Sequence, residues 1–303
     1  MSTVVPGMRT RLARSGLLLG AAALAAGCAA QPGSAAAPPS TSPSAGQDAP
    51  QLPDDGGLVL RVAYVGGFVA PQVIATQMPL VSVYADGRVI TEGPVAAIYP
   101  GPALPNVLES HIEPAEVEEF VQRALDAGVG QDRDYGRPNV ADVPSTLFTV
   151  VTADGTKTSE VFALQPGLFP EGDDGGITDR QSAAREPLGQ LVDDLTSAAA
   201  TGGEQPYEPG AIAAVASEYV DPEMLPAADE VAWPGPPLPG EPLDESLGLA
   251  CVTARGDAAD AVIEAASGAN ATTPWTDADG NRWSLVLRPL LPDESGCEDL
   301  PRR

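Results

Sequence analysis

Basic residues are scarce. The 303-residue chain has 16 Lys and Arg against 42 Asp and Glu, for a formal charge of −26. Only Lys157 is a lysine. That balance excludes a phosphate-backbone binder, because affinity for nucleic acid comes from Lys and Arg neutralising phosphates. Histidine is scarcer still. With His111 alone, an H-E-x-x-H site or a His-rich zinc site is excluded. Neither G-x-S-x-G nor a Gly-rich phosphate cradle occurs, so a nucleophile elbow and a P-loop are both missing. Aromatic residues make up 5%, which leaves few platforms for stacking on sugar rings. The apolar fraction is 43%, enough to build cores, so the chain as a whole is not disordered.

The one run of small apolar residues near the start, Gly16–Ala26, is too short to span a bilayer comfortably, which takes about 20 residues. It follows Arg9, Arg11 and Arg14 and ends in Leu24-Ala25-Ala26-Gly27-Cys28. A positive segment, an apolar segment and a small-residue junction are the order of a secretory signal. The arginines do not form an adjacent pair, which points to Sec export. The junction resembles the lipobox of bacterial lipoproteins, with Ala25 where leucine is usual and Leu24 one place earlier. The resemblance implies that residues 1–27 are removed and that Cys28 is diacylated, leaving the protein lipid-anchored at the extracytoplasmic face of the cell membrane. Two acyl chains suffice for stable anchoring at about 0.8 kcal/mol per buried methylene. Cleavage takes three basic residues and no acid, deepening the charge from −26 to −29. An anionic leaflet would repel such a body, so the lipid must do the holding.

Residues 28–57 are Ala, Pro, Ser, Gly and Gln with almost no large apolar group, and read as a disordered tether with a reach of about 30 Å. Folded sequence is expected in two pieces, 58–202 and a smaller 203–303. In the first, Leu58–Val65 reads as a strand, and Leu80–Tyr84 and Arg88–Thr91 flank an Asp-Gly turn. Glu92–Ser110 reads as a long loop. Pro114 opens a helix whose Val117, Phe120, Val121, Ala124 and Leu125 form one stripe, stopped by Gly128. Thr146–Thr152 and Thr158–Leu164 form a hairpin around Asp154-Gly155, and a second helix is expected over Pro187–Ala200. In the second piece, strands are expected at Ala211–Val220 and Leu247–Thr253, a proline-rich strap at Trp233–Pro242, and a helix from a capping Asp257 to Ser267. A further hairpin turns over Asp279-Gly280. The helix-then-hairpin order in both pieces is a possible weak internal repeat. The fold class is α+β, with antiparallel hairpins and helices packed on one face.

With Cys28 taken by lipid, Cys251 and Cys297 remain, and in an exported chain a disulfide is the default for the pair. The acids Glu171, Asp173, Asp174 and Asp179 sit on a Gly-rich stretch and are weak candidates for a metal such as Ca²⁺; a solvated loop that breaks two elements explains them better. Asp277-Ala278-Asp279-Gly280-Asn281 begins like an EF-hand but has Arg282 and Arg288 at the sixth and twelfth positions, and a hairpin turn accounts for it better. No cofactor is called for, and no catalytic residue is assigned. His111, beside Ser110, is read as decorating a helix start.

The Gly27-Cys28 junction, the Ala/Pro/Ser tether and the tail Arg288-Pro289-Leu290-Leu291-Pro292-Asp293-Glu294 leading to Cys297 together resemble an uncharacterised family of lipoproteins from high-GC Gram-positive bacteria. That group implies no activity. The expectation is a non-enzymatic interaction module of the cell envelope, held to the membrane through Cys28 and meeting an envelope protein or ligand. The alternatives are a solute- or Ca²⁺-binding lipoprotein and, with least support, a hydrolase using two acids.

Overall fold

The computed structural model describes residues 50–169, 175–221 and 228–301. The strands of the first half are β1 (Leu58–Val65), β2 (Val81–Tyr84), β3 (Arg88–Glu92), β4 (Val107–His111), β5 (Ser145–Thr152), β6 (Gly155–Phe162) and the two-residue β7 (Gln205–Pro206). They form one sheet in the order β6-β5-β1-β2-β3-β4-β7, antiparallel throughout. Three helices accompany them: α1 (Pro71–Thr76), α2 (Pro114–Asp126) and α3 (Asp179–Thr201). Strands β8 (Ala211–Glu218), β9 (Val231–Ala232), β10 (Glu241–Asp244), β11 (Leu249–Arg255), β12 (Pro274–Thr276) and β13 (Arg282–Pro289) form a second sheet, in the order β10-β11-β8-β13-β12-β9. All its pairs are antiparallel except β12 with β9, and α4 (Asp257–Ser267) belongs with it. The fold is α+β.

Alternation along the strands decides which face is covered. In the first sheet Leu60, Val62, Val81, Val83, Phe148 and Val150 share a face, and the apolar stripes of α2 and α3 lie on it. The stripe on α2 is Val117, Phe120, Val121 and Ala124, and that on α3 is Leu188, Leu191, Val192 and Leu195. In the second sheet Ile212, Ala214, Leu285 and Leu287 meet Ala259, Val262 and Ala266 of α4. β8 is Ala-rich yet buried on both faces, so burial overrides the poor strand propensity of alanine.

The two sheets belong to one compact unit, joined by the short helix α1 and by the tail after β13. Ala75 of α1 packs with Ala213 and Val215 of β8, while Leu291 of the tail packs with Tyr84 and Ile90 of the first sheet. Polar contacts fix the junction. Asp293 accepts hydrogen bonds at 2.7 Å from both Arg61 and the Tyr84 hydroxyl. Burial and the neighbouring Asp293 carboxylate push the Tyr84 hydroxyl far above its ordinary range. Burial works against the Arg61 charge, but Asp293, Tyr84 and Glu294 together raise its pKa. One residue on, Glu294 forms a two-armed pair with Arg288 at 2.6 and 2.8 Å and also accepts the Leu291 amide at 2.8 Å. The Arg288 side chain is 1% exposed.

Four expectations need correction. The Glu92–Ser110 loop ends early, because Val107–His111 pairs with β3 as β4. The second helix starts at Asp179, eight residues before Pro187, capped by Thr178 and Gln181 in a reciprocal capping box. Pro187 lies inside α3 on its exposed side; the helix continues because its opposite face is buried against the sheet. Asp257 does not cap α4: the cap position is Gly256 at φ +51°, a conformation that favours glycine, and Asp257 is the first helical residue. The proline-rich strap over Trp233–Pro242 runs into a true strand, β10, at Glu241.

Candidate functional site

The register of the first sheet brings several chain reversals to one end. Val65 pairs with Ser145, Val62 with Val81, Val81 with Thr91 and Glu92 with Val107. The segments leaving β1 and β3 therefore emerge together, two strands or about 10 Å apart. Both carry large apolar side chains in solvent. After β1 come Phe68, 85% exposed, with Val69 and Val73; after β3 come Val95, Ile98 and Tyr99, the last 79% exposed. Scattered exposed apolar residues are ordinary, but several on adjoining loops are a surface feature. Gly66 and Gly67 at φ +72° and +86° turn the first segment, and the Phe68 amide donates to the Asp142 carbonyl at 3.3 Å. The chain enters the sheet at the opposite end, where Gln51 and Gly57 carbonyls accept from Ala153 and Ala85 in the β5–β6 and β2–β3 turns.

At that same apolar-loop end, along the flank of α3, lies an open cavity of about 300 Å³. Its walls come from Tyr64 on β1, Thr146 on β5, Leu164 and Gln165 after β6, and one side of α3. The α3 side is Glu186, Gly189, Gln190 and Asp193, whose three-to-four-residue spacing places them on one stripe. No Lys or Arg lines it. Two buried polar atoms in its wall lack partners: the hydroxyl of Thr146, a residue 2% exposed, and Oε1 of Gln165. Native interiors satisfy nearly all such groups, and both of these have almost no surface open to the cavity. Gln165 donates Nε2 to the Pro144 carbonyl at 3.2 Å, which fixes its amide with the oxygen left over. Burial raises the pKa of the Tyr64 hydroxyl.

A buried arginine holds the wall in place. Arg185 of α3 donates to the carbonyls of Phe162 at 2.9 Å, Ala163 at 2.5 Å and Tyr135 at 3.2 Å. Burial lowers its pKa. Ala163 sits at φ +55°, an uncommon conformation for a residue with a side chain, and Arg185 braces it just before Leu164 and Gln165. Gly189 is the other telling residue. Mid-helix glycine weakens a helix by about 0.5–1 kcal/mol relative to alanine. Here no atom lies within 4 Å of where its Cβ would stand. Gly189 is half-buried and borders the cavity.

The sites expected from sequence fall elsewhere. Cys28 lies outside the described residues, as do Glu171, Asp173 and Asp174. Asp179 is the exposed first residue of α3, and among the described residues no group of three or more His, Cys, Asp or Glu side chains could hold a metal. Cys251 of β11 and Cys297 of the tail are joined, S–S 2.03 Å. His111 is the exposed last residue of β4, paired with Arg88, rather than part of the α2 start, where Glu113 and Glu116 form the capping box. Asp277 is occupied as a turn brace. It accepts from Trp283 Nε1 at 2.9 Å, from the Asn281 side chain at 2.9 Å, and from the Asn281 and Asp279 amides. Those bonds, Trp283's first, hold its pKa down to about 2. The cavity and the apolar loop end went unforeseen; Gly189 inside an amphipathic stretch was the one available signal.

No family model matches the chain, and no curated protein or solved structure matches it. Among the described residues no helix is long and apolar enough to cross a membrane.

Proposed function

We propose that this is a lipid-anchored extracytoplasmic protein, tethered through Cys28, which acts without catalysis by presenting the apolar loop end of its first sheet to another envelope protein. The observation that carries the reading is the pair of segments holding Phe68, Val69 and Val73 and Val95, Ile98 and Tyr99 at one end of the sheet. Two arguments favour a protein partner over the bilayer. The tether joins at the opposite end, through Gln51 and Gly57, so a body hanging from its lipid can turn the loops outward. A charge of −29 after signal removal opposes close approach to an anionic leaflet. Exposed apolar and aromatic side chains are what the cores of protein interfaces are made from.

The test is photo-crosslinking in cells, with the reactive residue placed in turn at Phe68, at Tyr99 and at the exposed Asp154 of the far β5–β6 turn. One discrete adduct from the first two positions, missing from the third, is the expected result. The same ladder from all three, or no adduct from any, contradicts the reading.

A further inference from the structure

We propose that the partner reaches the loop end with an extended segment, which adds to the first sheet as a strand along the open edge of β6. The proposal rests on the reading above, in which a protein meets Phe68 and Tyr99, and it names how that protein is held.

β6 is an outer strand of the first sheet, eight residues long, free of proline and paired to β5 without a bulge. Thr152 and Gly155 face each other across the two-residue turn Ala153-Asp154, the hydrogen-bonded pair that closes such a hairpin. From there every second residue exchanges bonds with β5. The pattern holds past the end of the strand, where the Ala163 amide donates to the Pro144 carbonyl at 3.2 Å. The odd-numbered residues of β6 therefore bond inward, and the N–H and C=O groups of Thr156, Thr158 and Glu160 face away from the sheet. All three residues are exposed, and among the described residues those main-chain groups have no other partner.

Edges are commonly blunted by a proline, a bulge or a lysine. β6 has only the lysine, and Lys157 does not cross the edge: its stem lies along Gly130, whose Cβ would come within 2.7 Å of the Lys157 Cβ. Glu160 stands on the opposite face of the strand from Lys157. The row of donors and acceptors is left clear, and what fits it is another extended chain.

Continuity with the loop patch fixes whose chain it is. Glu160 and Phe162 line an open groove of about 530 Å³ together with Gly66, Gly67 and Phe68. A segment paired with Thr158 and Glu160 leads into that groove and onto Phe68. Arg137 stands in the same wall, its guanidinium carbon 3.9 Å from the centre of the Phe162 ring. Asp142 and Glu160 also line the groove, yet among the described residues Arg137 makes no ion pair. The fitting segment thus brings an apolar side chain to Phe68 and a carboxylate to Arg137.

The experiment repeats the Phe68 photo-crosslink in cells with variants of the edge. Thr158→Pro and Glu160→Pro each delete an outward N–H and leave the β5–β6 bonds in place, whereas Thr158→Val keeps the N–H and loses only the hydroxyl. Each proline should lower the yield of the Phe68 adduct about tenfold, Arg137→Gln about threefold, and Thr158→Val not at all. Melting of the purified variants shows which of them are folded. Hydrogen exchange on the purified parent adduct needs no variant: the Thr158 and Glu160 amides should exchange about tenfold or more slowly than in the free chain. Asp154 lies beyond Thr156, outside the stretch that the segment pairs with, and remains the unreactive control.

Full yield from a folded Glu160→Pro protein overturns the proposal, as does an equal loss from Thr158→Val or unslowed exchange of the two amides in the adduct. Full yield from Arg137→Gln overturns the assignment of the carboxylate. All of these leave the earlier reading standing. An adduct of twice the chain's own mass, which would be a second copy, overturns both, and so does the lack of any Phe68 adduct from the parent protein.

Discussion

The two sheets cover their faces in different ways. The first is roofed by two long helices with β-branched, leucine and phenylalanine side chains beneath them, and the roof does not close at the Tyr64–Thr146 end. The second packs small residues, alanines of β8 against alanines of α4. It is then tied down by the Cys251–Cys297 bond and by the buried Arg288–Glu294 pair. The difference separates two jobs. The half that exposes the aromatic side chains of Phe68 and Tyr99 is the half suited to meet other molecules; the half with the cross-links is suited to hold shape. Asp293 links them, one residue from Glu294, by engaging Arg61 and Tyr84 of the first sheet.

The contrast breaks most severely at Glu294. Glu294→Ala strands the Arg288 guanidinium in a buried site and removes the acceptor of the Leu291 amide, and should cost about 3–5 kcal/mol in urea unfolding. A cost below about 1 kcal/mol would mean that the second sheet does not depend on this pair. Next is the disulfide, which closes a span of 46 residues; Cys251→Ala with Cys297→Ala should lower stability by about 2–4 kcal/mol. Both changes should leave crosslinking from Phe68 intact wherever the variant is still folded.

Gly189→Ala works in the other direction. It should stabilise α3 by about 0.5–1 kcal/mol, seen as a higher melting temperature, because the site is helical and empty. A destabilised Gly189→Ala protein would show that the space around a Cβ at this position is not open. The smallest effect expected is at Asp277. Its folded pKa, about 2, lies below the ordinary value of 3.8, so its contribution is present above pH 4 and is lost as the pH falls through about 2. Asp277→Asn should flatten that part of the acid-unfolding curve and change little at neutral pH.

Much of the fold could be read from residue order because its cues are local. Asp86-Gly87, Asp154-Gly155 and Asp279-Gly280 mark hairpin turns in the chain itself, and α2 announces itself by Pro114, its stripe and Gly128. The failures have local causes too. Val107–His111 has glutamate and histidine among its residues and follows a Pro- and Gly-rich approach, so its pairing with β3 is a tertiary fact. Pro187 looks like a helix start, and the true start, Thr178 with Gln181, follows a Gly- and Asp-rich run. At α4 the cap is made by the backbone freedom of Gly256, which leaves Asp257 looking like the cap. The cavity was legible least of all. Tyr64, Thr146, Gln165 and Gly189 lie on three separate stretches of chain and a helix, and only the sheet order β6-β5-β1 with α3 laid across it brings them together.

Intact-mass analysis of the protein from fractionated cells tests the lipid anchor most directly. The account predicts a membrane-fraction species that begins at Cys28 and carries the added mass of a diacylglyceryl group. A soluble species that still begins at Met1, with the Cys28 thiol unmodified, would contradict it.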